Sequence, residues 1–269
     1  MSSSVWFVVP SVLAMLAYAI AARGVGGAWP YRALTLAWVA HGTAFLTHLF
    51  GIGLAGDGAR FGFAPALSAT AWLVLAVHAV ESRFLPVPAV RRLLSVLGGV
   101  SVLLALLFPG EGAIHSGSPW APLHWLLGLA SYGLFGAAVL HAAWLDRAER
   151  ALRARTLPAG PSGPLPLLML EKLTFRFVAA GFVVLSIAVL LGVWFTPAWR
   201  WDHKTVFSML GWLVFAGLLG GRQIFGWRGR RATRWLYVGT GLLLLAYVGS
   251  RFVFEVLLHR SATMAGLGS

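Results

Sequence analysis

Long runs of apolar residues, each about the length needed to cross a lipid bilayer, constrain the fold of this chain most strongly. Eight such runs can be read from the sequence: Val5–Ala22, Leu34–Leu54, Phe63–Val80, Val90–Phe108, Pro122–Trp144, Phe177–Phe195, Thr205–Gly221 and Trp235–Leu258. A transmembrane helix needs about 20 predominantly apolar residues. The runs are continuously apolar, whereas the strands of a membrane barrel alternate apolar and polar residues. The sequence therefore predicts an all-α polytopic membrane protein with about eight transmembrane helices.

The composition agrees with that prediction. Of the 269 residues, 59% are hydrophobic and 11% are charged, whereas ordinary soluble domains carry about 25% charged residues. The first run, Val5–Ala22, follows no basic segment, so we expect a retained first helix and not a signal peptide. The chain contains no cysteine, which excludes disulfides, thiolate metal ligands and covalent cofactor attachment through cysteine.

Lys and Arg residues are distributed unevenly among the predicted loops. Sixteen lie in the loops after the odd-numbered runs or in the first turn of the run that follows, whereas the loops after the even-numbered runs hold only Arg60, Arg200 and Lys204. In membrane proteins the excess of Lys and Arg lies in short cytoplasmic loops. This bias predicts that the odd-numbered loops are cytoplasmic and that both termini lie outside. It also explains the net charge of +13 without a nucleic-acid partner.

The longest loop covers about residues 145–176 and includes the Pro- and Gly-rich stretch 158–166. Pro and Gly at that density predict a flexible linker. The loop separates five predicted helices from three, and both sides consist of apolar runs long enough to span the membrane. We therefore predict a single integral membrane domain over residues 1–269, with a cytoplasmic linker between the fifth and sixth helices.

The eight histidines are the main candidates for chemistry. In the predicted topology they form an outer layer, His115, His124, His203 and His259 with His48 a little deeper, and an inner layer, His41, His78 and His141. A histidine at bilayer depth is costly unless it faces the bundle interior, so each one is a functional-site candidate. The alternative for any one of them is an ordinary hydrogen bond between helices or an interfacial side chain.

Two outer histidines, His124 and His259, lie at matching depth on different predicted helices, beside the polar stretch that follows the sixth run. Two such imidazoles can ligate the iron of a haem from both faces. We therefore predict a haem site with His124 and His259 as metal ligands and Trp199, Trp201 and Asp202 as its rim. The two tryptophans can equally belong to the aromatic belt of the interface, and Asp202 can equally be a helix N-cap.

The inner layer offers a second candidate site. His41 and His48 share one face of the second helix but lie about 10 Å apart along its axis, too far to ligate one iron. If a haem lies in this layer, His41 is its metal ligand and His141 or His78 is the partner. On the eighth helix, Arg251 can pair with a carboxylate four residues later or bind a haem propionate, for which a guanidinium is suited.

Several segments resemble the cytochrome c assembly (CcsA/CcmC-like) superfamily. Trp199–Trp212 resembles its tryptophan-rich loop and following helix, Leu123–Tyr132 resembles its histidine-led helix, and Phe225–Arg231 with Ala246–Phe252 resembles the HemX/YpjD branch. The resemblance implies an eight-helix inner-membrane protein that handles haem. It also implies that His124 and His41 match haem histidines of the family and that His259 lies near the place of another.

These observations lead to one leading hypothesis and two alternatives. The leading hypothesis is a non-enzymatic protein that binds b-type haem non-covalently and holds or delivers it for cytochrome c biogenesis. Its partners would be the bilayer and proteins of cytochrome c assembly or haem synthesis. The first alternative is a non-haem membrane partner that regulates or stabilises another complex, such as the haem-synthesis machinery. The second is a small-molecule or ion transporter, which the lack of a recognisable inverted repeat disfavours.

Overall fold

The computed structural model describes residues 5–23, 27–50, 62–82, 88–110, 120–154, 167–195, 201–253 and 256. The helices are α1 Val5–Arg23, α2 Trp29–Leu49, α3 Phe63–Glu81, α4 Pro88–Leu107, α5 Ala121–Arg153, α6 Leu167–Phe195, α7 His203–Phe225 and α8 Gly229–Leu244. A π-helical segment, Leu245–Gly249, and the short helix α9, Ser250–Phe252, continue α8. No strand occurs in these ranges. The prediction of an all-α fold is therefore confirmed.

Six of the helices, α1 and α3 to α7, are long and apolar enough to cross a bilayer. Helix α2 has the length but carries two histidines and three threonines, which lower its hydropathy. Helix α8 has 16 residues and begins with the basic sequence Gly229–Arg234. The predicted number of eight spans therefore stays a prediction for these two segments.

Helices α5 and α6 extend into the predicted linker from both sides. Helix α5 continues beyond its apolar part to Arg153, and α6 already begins at Leu167. At the polar end of α5, Arg153 and Glu149 form an ion pair at 3.8 Å. The two residues are four apart in the sequence, a separation at which side chains of one helix meet. The Pro-rich centre of the linker lies outside the described residues.

The chain divides into two compact units, each of which is described by itself. Unit 1 comprises residues 1–117 and 247–269, and unit 2 comprises residues 118–246. Helices α1 to α4 belong to unit 1, and α5 to α8 belong to unit 2. The prediction of one integral membrane domain stays a prediction.

Small residues form the helix interfaces of unit 1. Its interior includes Ala14, Ala17, Ala37, Ala40 and Ala44. Large apolar side chains instead point outward, as Trp6 does with 66% of its surface exposed. This arrangement is typical of helices packed in lipid, because small residues let backbones approach closely and lipid solvates large apolar side chains.

A stacked aromatic pair forms the centre of unit 2. The rings of Phe135 on α5 and Phe215 on α7 lie 3.9 Å apart and nearly parallel. Glycines make room for both rings: a Cβ at Gly181 would lie 3.0 Å from Phe135, and one at Gly239 would lie 2.9 Å from Phe215. The close packing of α5 against α6 at this point determines which side chains meet farther along the two helices.

Candidate functional site

His124 lies in the first turn of α5 and packs against the last turns of α6. Its Nδ1 atom is 2.8 Å from the carbonyl oxygen of Ala188. Its ring lies over Gly192, where an added Cβ would be 3.0 Å from Cε1 and 3.3 Å from Nδ1. The imidazole is only partly buried. The position predicted for an external haem ligand is therefore an imidazole anchored to the neighbouring helix through one nitrogen.

This anchor determines the tautomer of His124. A carbonyl oxygen can only accept a hydrogen bond, so in the neutral imidazole Nδ1 carries the proton and donates it. The lone pair is then on Nε2, the nitrogen farther from the backbone. Metal-binding histidines commonly have this arrangement, in which one ring nitrogen donates to a carbonyl and the other ligates the metal. His124 is thus in the chemical form that iron ligation requires.

The first turn of α7 begins at the same end of unit 2. Asp202 is the N-cap of this helix, and its side chain accepts a hydrogen bond from the backbone N–H of Thr205 at 2.7 Å. The N-cap alternative for Asp202 is therefore confirmed. Burial of the carboxylate raises its pKa, but the hydrogen bonds from Thr205 and the charges of Lys204 and His203 lower it more, so the net pKa is below the ordinary value.

The residues just before and at the start of α7, Trp201 to Lys204, also supply an exposed ring and a positive charge. Trp201 has 71% of its surface exposed, and Trp120, directly before α5, is exposed as well. The positive charge of Lys204 acts electrostatically on His124. We call Trp120, His124, Trp201, Asp202 and Lys204 the histidine rim.

His41 in unit 1 has a different environment. It is 1% exposed, and both of its ring nitrogens are hydrogen-bonded to hydroxyl groups. The Tyr18 hydroxyl on α1 lies 3.0 Å from Nδ1, and the Ser68 hydroxyl on α3 lies 2.7 Å from Nε2. Iron ligation by His41 therefore requires one of these hydrogen bonds to break.

The other two described histidines of unit 1, His48 and His78, are not level with His41. His78 lies ten residues after Ser68 on α3, which corresponds to about 15 Å along the helix. His48 packs against the ring of Phe7, with a centroid distance of 4.8 Å. A cavity of about 10 Å³ is lined by both His41 and His48, and it has room for a single water molecule. A haem at His41 would therefore require unit 1 to open.

His141 lies on α5 in unit 2. Its Nδ1 is 2.7 Å from the carbonyl oxygen of Ala137, one turn earlier in the same helix, and its ring packs on Phe177 at 5.2 Å. Because His41 and His141 belong to different units, the predicted inner pair stays a prediction. Arg251 lies in α9 and is partly exposed, and its role at a haem propionate likewise stays a prediction.

Three predicted residues lie outside the described residues. They are His115, Trp199 and His259. The pairing of His124 with His259 is therefore a prediction, and so is the contribution of Trp199 to the rim.

The sequence analysis did not identify Tyr18, Ser68, Ala188 or Gly192. Tyr18 and Ser68 have a recognisable feature, since each is a hydroxyl residue within a mostly apolar run. Nothing in the sequence distinguishes the carbonyl of Ala188 from the others, because every residue carries a carbonyl group. Gly192 is one of 32 glycines, and only its position against His124 sets it apart.

The chain is similar to several known proteins. Residues 29–258 match the family described as Cytochrome C assembly protein. Inner membrane protein YpjD of Escherichia coli (strain K12) is 30% identical over 162 residues, which are 59% of this chain and 61% of that protein. Cytochrome c biogenesis protein CcsA of Prochlorococcus marinus is 24% identical over 217 residues, 68% of this chain and 69% of that protein. No solved structure matches the chain.

The helices, the match and these relatives define a multi-pass inner-membrane protein. The chain belongs to the cytochrome c assembly protein family, whose match includes 29–258 and therefore both histidine sites. It does not include α1, which supplies Tyr18. The chain covers about three fifths, 61%, of the length of the Escherichia coli relative.

Proposed function

We propose that this protein binds haem non-covalently at His124 and holds or delivers it during cytochrome c biogenesis. The observation that carries the proposal is the hydrogen bond from His124 Nδ1 to the Ala188 carbonyl oxygen, which leaves the lone pair on Nε2. Membership of the cytochrome c assembly family supports haem as the molecule that is bound. The proposed role is that of a carrier and not of an enzyme.

The residues of the histidine rim fit a haem. A haem presents an iron that accepts imidazole ligands, a flat apolar ring and two negatively charged propionates. His124 would ligate the iron, the exposed rings of Trp120 and Trp201 offer apolar surfaces, and the positive charge of Lys204 suits a propionate. Gly192 contributes by leaving space in which the imidazole can approach α6. Because the chain has no cysteine, the haem would be bound non-covalently, and we propose that it is of the b type.

The proposed topology places this rim at the periplasmic face. In this topology the chain has eight spans and both termini are periplasmic. Its support is the uneven distribution of Lys and Arg, with sixteen in or beside the odd-numbered loops and three in the even-numbered loops. His124 would then lie at the outer, periplasmic face of the membrane. The partners we propose are proteins of cytochrome c assembly, in keeping with the family and with the name of the Prochlorococcus marinus relative.

The test is the absorption spectrum of the protein purified in detergent, before and after addition of haemin. We expect a Soret band that titrates to saturation with the wild-type protein and that is lost or strongly weakened in His124→Ala. His203→Ala is the matched control, because His203 is an exposed histidine at the start of α7 that is not one of the residues of the histidine rim, and it should leave the titration unchanged. Equal haem binding by wild type and His124→Ala would refute the assignment of His124.

A further inference from the structure

The hydrogen bond between His124 and Ala188 needs an explanation, because carbonyl groups in the middle of a helix are normally covered. The carbonyl of residue i accepts the N–H of residue i+4. The side chain of a helical residue covers the turn on the N-terminal side of its own Cα. The side chain at position 192 would therefore lie over the carbonyl of Ala188. A glycine at this position leaves that carbonyl open to a second donor from another helix.

The distances agree with this explanation. The imidazole of His124 occupies the space in which a side chain at position 192 would begin: a Cβ there would lie 3.0 Å from Cε1, 3.3 Å from Nδ1 and 3.9 Å from Nε2. The same ring reaches the Ala188 oxygen at 2.8 Å. A methyl group at position 192 would push the ring away from α6, and a shift of a few tenths of an ångström would lengthen this hydrogen bond.

We propose that Gly192 is the positioning residue of His124. It opens the Ala188 carbonyl, which fixes the imidazole as the tautomer with the proton on Nδ1 and the lone pair on Nε2. The carbonyl also makes Nε2 a stronger donor to a metal, as partners of metal-binding histidines do in general. The tautomer is a property of the protein alone, whereas the effect on iron rests on the function proposed above.

Other glycines of unit 2 differ from Gly192. Gly181 and Gly239 face the phenyl rings of the core, so their effect is on packing. Gly217 and Gly220 on α7 have no neighbour within 4 Å of an added Cβ. They are matched controls, because an alanine at either position changes the helix in the same chemical way without contacting another side chain.

The first experiment measures the tautomer in the haem-free wild-type protein, by NMR with ¹⁵N-labelled histidine and His124→Ala to assign the signal. We expect His124 to carry its proton on Nδ1, and Gly192→Ala to shift the signal toward the Nε2–H form. Gly217→Ala should leave the signal unchanged. A wild-type His124 protonated on Nε2 would overturn the proposal, and this measurement does not depend on the folding of any glycine variant.

The second experiment repeats the haemin titration with the glycine variants. Loss of a hydrogen-bond partner of a metal ligand typically weakens metal binding about 10–100-fold, so Gly192→Ala should weaken haem binding at least about tenfold. Gly217→Ala and Gly220→Ala should bind as the wild type does. If Gly192→Ala matches these controls in both the tautomer and the titration while His124→Ala loses haem, Gly192 is not a positioning residue and the haem proposal stands. If the wild type binds no haem, the haem proposal fails, and the NMR result alone decides whether Gly192 fixes the tautomer.

Discussion

His41 in unit 1 and His124 in unit 2 are both anchored to a neighbouring helix, with opposite consequences. His41 is 1% exposed and has a hydroxyl group on each ring nitrogen. His124 is partly exposed and is anchored through Nδ1 to a backbone carbonyl. The first arrangement satisfies both nitrogens within the protein and stabilises the fold. The second fixes the orientation and tautomer of the ring while its Nε2 lone pair is the one suited to a ligand.

A glycine contributes to each site, but in a different way. In unit 1, a Cβ at Gly98 would lie 2.7 Å from Cζ of Tyr18, so this glycine makes room for the phenol that holds His41. In unit 2, Gly192 makes room for the histidine itself. Substitutions in unit 1 should therefore lower stability, whereas those at the histidine rim should change binding.

The largest loss of stability is expected for Gly98→Ala. The added methyl group would overlap the buried ring of Tyr18, and overpacking of a core typically costs about 1–3 kcal/mol. We expect the upper part of that range, because Tyr18 also holds His41. The measurement is unfolding by denaturant or heat in detergent. Gly99→Ala is the control, since its Cβ would lie 3.6 Å from Tyr18, an ordinary contact; equal losses for the two variants would contradict the prediction.

A smaller loss is expected when one hydroxyl is removed from His41. Tyr18→Phe and Ser68→Ala each leave a buried ring nitrogen without its partner, which typically costs about 1–3 kcal/mol, and we expect the lower part of that range because the other ring nitrogen of His41 keeps its hydroxyl partner. In a His41→Leu background the loss should largely disappear, because the nitrogen that needed the hydroxyl is gone. The same unfolding measurement on single and double variants gives this coupling. Strictly additive losses would show that the hydroxyls do not act through His41.

Removal of the N-cap of α7 should cost less again. Asp202→Ala removes the acceptor of the Thr205 N–H and should destabilise by about 1 kcal/mol, while Asp202→Asn keeps an acceptor and should cost less. The lowered pKa of Asp202 means that its ionised form is favoured in the folded protein. Its contribution is therefore present above the ordinary pKa of an aspartate and is lost as the pH falls through the lower, folded-state value. A difference between wild type and Asp202→Ala that stays constant through this acidic range would contradict the assignment.

The smallest loss of stability is expected for His124→Ala, the variant with the largest expected effect on haem. Its ring is partly exposed, and the Ala188 carbonyl keeps the helical N–H of Gly192 as a partner. We expect a change of about 0.5 kcal/mol, the low end of the net contribution of one hydrogen bond. Unfolding and haemin titration of the same preparation test this together. A loss as large as that of Tyr18→Phe would make His124 a structural residue like His41.

Much of the fold could be predicted from residues considered one segment at a time. The runs that became α1, α3 and α4 begin and end within two residues of the observed helices, because the length of an apolar run reports directly on the bilayer it crosses. The limits of α5 and α6 were less predictable. Their extensions, to Arg153 and from Leu167, form regular helix beyond the predicted spans, which ended at Trp144 and began at Phe177.

The all-helical membrane fold, the family and the place of His124 at the start of the fifth helix can be read from the sequence alone, because apolar length, charge bias and local motifs are properties of neighbouring residues. The hydrogen-bond partners of the ring nitrogens of His41 and His124 can be read only from the tertiary structure. Ala188 is 64 residues from His124, and Tyr18 and Ser68 are 23 and 27 residues from His41. These contacts depend on how the helices pack against one another. A glycine elsewhere in the chain contributes to each contact: Gly98 makes room for the Tyr18 ring, and Gly192 makes room for His124 beside the Ala188 carbonyl.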